Sequence, residues 1–280
     1  MRHGSLTYNC HYFFLLSVYY VFSDRKRVAR FSGSQARERR VMQDSTIAYC
    51  GPAAVPGDLW TRWNIDPLLI AALAALALAV GRRRSSDTRA GWAAIVLLLV
   101  IFASPVCALS SALFSVRVLH HVLLIAAVAP LLALAFPQRR ASAPIVMLVA
   151  AHAVILWLWH PPGAYAWGLA SVPAYWLMQA SLLGSAWLLW RAILAPAQSG
   201  PALVALVATI GQMGLLGALI VFAPGPLYPV HLASTAAWGL APLTDQQLAG
   251  LLMWVPAMLP YLGAGLWIAW SSLRSSEPAL

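Results

Sequence analysis

Charge is what this chain has least of. Asp, Glu, Lys and Arg make up 9% of its 280 residues, against roughly a quarter in soluble globular domains, so an ordinary water-soluble fold is excluded. Acidic groups are scarcer than basic ones, 8 against 18. The chain therefore shows neither the paired carboxylates of a hydrolase nor the intramembrane carboxylates of a proton-coupled pump. It also has no glycine-rich phosphate loop and no nucleophile elbow, and the expectation is a protein that is not an enzyme. Its three cysteines, Cys10, Cys50 and Cys107, have no paired spacing and signal neither a zinc site nor a disulfide framework.

What is present is apolar sequence. Hydrophobic residues make up 61% of the chain. From Ala141 to Trp190, and again from Ala192 to Thr244, no charged residue occurs; each stretch can hold two crossings of about 20 residues. Within a bilayer every backbone N–H and C=O must be paired inside the protein, which leaves helices or a closed barrel. These runs are too long and unbroken for barrel strands of about ten alternating residues. The expected fold is all-α, a polytopic integral membrane bundle with the lipid bilayer as its solvent. Seven spans are expected: Pro67 to Val80, Ala90 to Leu109, Val118 to Phe136, Ala143 to Trp159, Val172 to Trp190, Pro201 to Phe222 and Gln247 to Trp270. Gly211, Gly214 and Gly217 suggest close helix approach in the sixth. Trp157, Trp159, Trp167, Trp176, Trp187 and Trp190 suggest membrane interfaces.

The net charge of +10 does not point to nucleic acid, because eight basic residues cluster before Met42: Arg2, Arg25, Lys26, Arg27, Arg30, Arg37, Arg39 and Arg40. Residues 1–41 are set apart as a basic extension, readable as an amphipathic anchor, a weak extra span or upstream translated sequence; the last is preferred. Residues 42–280 then form one transmembrane domain. Arginine is retained on the cytoplasmic side of membranes, and Arg82, Arg83, Arg84, Arg89, Arg139, Arg140, Arg191 and Arg274 all fall on one face under seven crossings. Arg62 and Arg117 fall on the other. This predicts a bacterial plasma membrane protein with the core's N-terminus outside and its C-terminus in the cytoplasm.

With that topology, His121, His160, His231 and Asp245 gather at the outer face. His152 lies eight residues before His160, slightly over two turns, on nearly the same side of its helix. Imidazole binds copper, zinc or haem iron, so these histidines are candidate metal ligands; each is also readable, and taken singly more readily, as a hydrogen-bonded packing residue or an interfacial side chain. The methionines Met147, Met178, Met213, Met253 and Met258 are scattered and read as packing. Three other functions stay open: a membrane haem or redox protein, a copper transporter, and a scaffold that binds no metal.

Several motifs together resemble one family. Near the C-terminus these are Pro226-Leu227-Tyr228-Pro229, Trp238-Gly239-Leu240, Leu243-Thr244-Asp245-Gln246-Gln247-Leu248-Ala249-Gly250 and Met253-Trp254-Val255-Pro256. Upstream are Trp157-Leu158-Trp159-His160-Pro161-Pro162 with Tyr165, and Arg117-Val118-Leu119-His120-His121 leading to Pro130. In order and spacing, from about Tyr49 to Trp270, they resemble the CtaG family of multi-spanning cytochrome c oxidase assembly factors known from caa-type oxidases. The chain departs from the family where Arg117, Gln179 and Gln212 stand at positions that often carry histidine. The resemblance implies a role in maturing the terminal oxidase, with its subunits as partners, together with copper and a copper chaperone, acting from the outer face. It suggests a site of His121, His160 and Asp245, with His152 deeper and His231 on a lid-like loop. Asp245 is alternatively a cap for the seventh span.

Overall fold

The computed structural model describes residues 49–83, 88–138, 143–195 and 199–275. The basic extension, and Arg84, Arg139 and Arg140 of the charge argument, lie outside the described residues. Those described are helical, with no strand among them, as the apolar runs require. The helices are α1 (Pro67–Gly81), α2 (Thr88–Leu98), α3 (Val106–Ala112), α4 (Phe114–Leu123), α5 (Ala129–Ala135), α6 (Ile145–Trp159), α7 (Pro162–Leu169), α8 (Val172–Ile193), α9 (Ser199–Val221), α10 (Pro242–Trp254) and α11 (Leu259–Ser275).

Helices occupy all seven expected segments, but fewer qualify as spans. Among the described residues three continuous helical stretches are long and apolar enough to cross a membrane: Phe114–Ala135, Ser199–Val221 and Pro242–Arg274. The count becomes five if the bent pairs α2 with α3 and α6 with α7 are each one span. Helix α1, at 15 residues, is short for a bilayer. Helix α8 is 22 residues long, but Gln179, Ser181, Ser185 and Arg191 dilute its apolar character.

Proline shapes these helices. It has no N–H and disfavours helical geometry in the residue before it. At Pro161-Pro162 the chain turns by 82° between α6 and α7, leaving His160 at the corner. Pro130 removes the donor that would continue the ladder through α4 to α5, and the intervening Leu124–Val128 forms a π turn. The Ile125 carbonyl in that turn accepts the Trp190 indole N–H at 3.0 Å.

Stretch α4–α5 lies at the centre of the bundle, with α2, α8 and α10 against it. Helix α9 packs most extensively on α10. A methyl group on Gly217 would meet the Gly250 carbonyl at 2.8 Å, and one on Gly250 would meet the Gly217 carbonyl at 2.7 Å. Gly217 thus serves close approach as expected; Gly214 faces Trp254 at ordinary contact distance, and Gly211 faces open space. Large apolar side chains such as Leu68, Val146, Val204, Phe222 and Leu266 are exposed on the outside of the helices, where lipid would cover them.

Two sequence readings are corrected. Cys50 and Cys107 form a disulfide, with Cα atoms 5.2 Å apart and a separation of 57 positions in sequence; spacing gives no hint of a pair that only the fold brings together. Several tryptophans are internal fasteners rather than interface markers. Trp159 and Trp190 are buried, Trp159 donates to Ser181 Oγ at 2.9 Å, and Trp157 donates to Gln212 Oε1 at 2.8 Å. Of the six, only Trp167 is largely exposed.

Candidate functional site: a buried arginine, histidine and tyrosine cluster

The start of α4 has no capping side chain of its own. Its cap comes from α10. Asp245 accepts the Phe114 N–H at 2.7 Å, the Ser115 N–H at 3.2 Å and the Ser115 hydroxyl. Asp245 is a helix cap, but for the third expected span rather than for the seventh. Gln246, its neighbour, accepts the Leu227 N–H at 2.6 Å and donates to the carbonyls of Ile220 and Gly225. These bonds tie the loop after α9 to the head of α10.

One turn into α4, Arg117 is fully buried. Its Nη1 donates to the Tyr175 hydroxyl at 3.3 Å, and the guanidinium lies over that ring. The Tyr165 hydroxyl also approaches the guanidinium, yet Nε and Nη2 have no hydrogen-bond partner among the described residues. Arg117 is within electrostatic range of His120, His121 and His231. The disulfide closes over this group: Cys50 Sγ is 3.7 Å from the Tyr175 hydroxyl, and Tyr49 stacks on the Tyr175 ring.

The five expected site residues do not converge on one point. His121 Nε2 meets the Gln179 amide nitrogen at 3.1 Å and lies within electrostatic range of His160. His160 Nδ1 is 2.6 Å from the Leu156 carbonyl, so it carries the proton and leaves Nε2 as the lone-pair nitrogen. His231, on the loop between α9 and α10, pairs through Nε2 with the Tyr165 hydroxyl at 2.7 Å. Burial, reinforced by the nearby Arg117 charge, pushes its imidazole down to about 3. His152 stands apart on α6, 2.9 Å from Ser185 Oγ through Nδ1, with Nε2 buried and partnerless among the described residues. Asp245 is taken up by the head of α4. Among the described residues no three of His, Cys, Asp and Glu stand close enough to hold a metal ion together.

Sequence reasoning passed over the centre of this cluster. Arg117 entered as one charge in a topology count and as a departure from a motif that often carries histidine there, and His120, Tyr175 and Tyr228 had no assigned role. The signal was there: an ionisable residue inside an apolar span is a functional candidate by default. His120 is completely buried, lies edge-on to Phe102, and neither of its ring nitrogens has a partner among the described residues. Tyr228 stacks on Phe114, donates to the His160 carbonyl at 2.9 Å, and is held above its usual pKa by burial.

A bundle of apolar helices suited to a membrane, with its polar chemistry collected at one end, is the class this fold defines. Residues 138–275 match the family model of the cytochrome c oxidase caa3 assembly factors (Caa3_CtaG), which supports the family that the motifs resemble. No protein of curated function and no solved structure matches the chain.

Proposed function

We propose that this protein assists assembly of a cytochrome c oxidase by passing copper, as cargo, to the oxidase subunits at the outer face of a bacterial plasma membrane. The family match supports the assembly role. The copper reading rests on one observation: three buried imidazoles, His121, His160 and His231, gather at one end of the bundle, with His160 held so that Nε2 is its free nitrogen. Two or fewer protein ligands suit a cargo that must leave again, and imidazole is a good copper ligand. A copper chaperone would load the site from outside. Asp245 acts here by holding the head of α4, and His152 as a deeper second station.

Two features support this orientation. Disulfides persist in oxidising compartments, which favours the Cys50–Cys107 end as the outer one, and Arg82, Arg83, Arg191 and Arg274 favour the other end as cytoplasmic. Both hold under seven crossings, counting α1 and α8. The test is deletion of the gene, followed by measurement of oxidase activity and copper per haem a in membranes. Copper-poor oxidase, restored by the wild-type chain but not by one with His121, His160 and His231 all replaced by glutamine, is the expected result. Restoration by the triple variant would transfer the function to a metal-free scaffold.

A further inference from the structure

The Arg117 guanidinium is a buried charge with little to compensate it among the described residues. It is completely buried, is met only by neutral hydroxyls, Tyr175 at 3.3 Å and Tyr165 nearby, and has no carboxylate within ion-pair distance among the described residues. Arginine cannot shed its proton to relieve that burial. Its position aggravates the cost, because Arg117 sits in the first turn of α4, where the helix dipole disfavours a cation. Asp245 is nearby but has both oxygens filled by donors from Phe114 and Ser115.

The two partnerless nitrogens, Nε and Nη2, form the edge of the guanidinium that offers parallel N–H bonds to two oxygens of one carboxylate. His120, three residues on and therefore on the same side of α4, adds an imidazole with both nitrogens partnerless among the described residues. We propose that Arg117, with His120 beside it, is the receptor for a small monoanion, best a monocarboxylate of formate or acetate size. A cleft of about 10 Å³, room for about one water molecule, is lined by Phe114, Tyr228, His231, Asp245 and Gln246 among others. One of these, His231, is bonded to Tyr165, whose hydroxyl approaches the guanidinium, so in this proposal an anion reaches Arg117 only as His231 and Tyr165 part.

The experiment uses the full chain purified in detergent, at constant ionic strength, with sodium formate or acetate exchanged for sodium gluconate, whose anion is too large for the cleft. The expected result is a saturable rise in the unfolding midpoint with formate and acetate, about 3–6 °C at ten times the half-saturating concentration, that is absent in Arg117→Gln. Wild-type protein should also broaden the NMR line of ¹³C-formate in proportion to protein concentration, which decides the matter even if Arg117→Gln does not fold. Equal responses to formate and gluconate, a response retained in Arg117→Gln, or no broadening by the wild type would each overturn the assignment. The proposal is independent of copper, and its failure leaves the copper reading where it stands.

Discussion

At the residue scale, the cluster shows how polar groups are kept in an apolar bundle. Asp245 does so by serving the backbone of another helix. Asp245→Ala would strip acceptors from two buried N–H groups and the Ser115 hydroxyl, at a cost of roughly 1–3 kcal/mol. Denaturant or thermal unfolding of the purified variant checks this, and a change near zero would show that water replaces the carboxylate. His231 makes a pH prediction. Its imidazole is held at about 3 in the folded protein and titrates near 6.5 when unfolded. Between those values the unfolded chain binds the extra proton, so this group's contribution to stability is complete above about pH 6.5 and is lost as pH falls toward 3. The slope from one such group is at most about 1.4 kcal/mol per pH unit. In His231→Gln the midpoint should vary less between pH 6.5 and 4 than in the wild type, and an identical profile would mean the ring is already solvated.

At the element scale, helix contacts depend on what is left out. Gly217 and Gly250 let α9 and α10 touch backbone to backbone, and a methyl on either would meet a carbonyl oxygen below 3 Å. Gly250→Ala should therefore destabilise by about 1–3 kcal/mol through overpacking, whereas Gly211→Ala, with open space around it, should be neutral or slightly stabilising because alanine favours helix. Equal effects of the two changes would rule out this helix contact. The α6–α7 corner follows the same logic from the other side: two adjacent prolines stop one helix and start the next, which carries His160 and Tyr165 to the same end of the bundle.

At the scale of the whole molecule, the disulfide joins the segment before α1 to α3 across 57 residues and covers Tyr175 and Arg117. Closing a loop of that length contributes about 2–4 kcal/mol. Cys50→Ser with Cys107→Ser should lower the unfolding midpoint measurably, and treatment with reductant should lower the wild type toward the same value. No change in either would mean that the bond is not formed in the native protein.

The all-helical class and the helices in the seven expected segments were legible in the sequence, because long uncharged runs can satisfy their backbone in lipid only as helices; α7, between the fourth and fifth segments, was not. The family was legible too, in motifs such as Trp157 to Pro162 and Leu243 to Gly250, since these combine turn-forming prolines with polar groups at fixed spacing. What the tertiary structure alone decided was partnership. Cys50 with Cys107, Asp245 with the head of α4, His231 with Tyr165 and Arg117 with Tyr175 are contacts between elements distant in the chain. Periodicity and spacing report the face or end on which a residue lies. They carry no information on which side chain of another helix meets it there, because that depends on how the helices pack around one another.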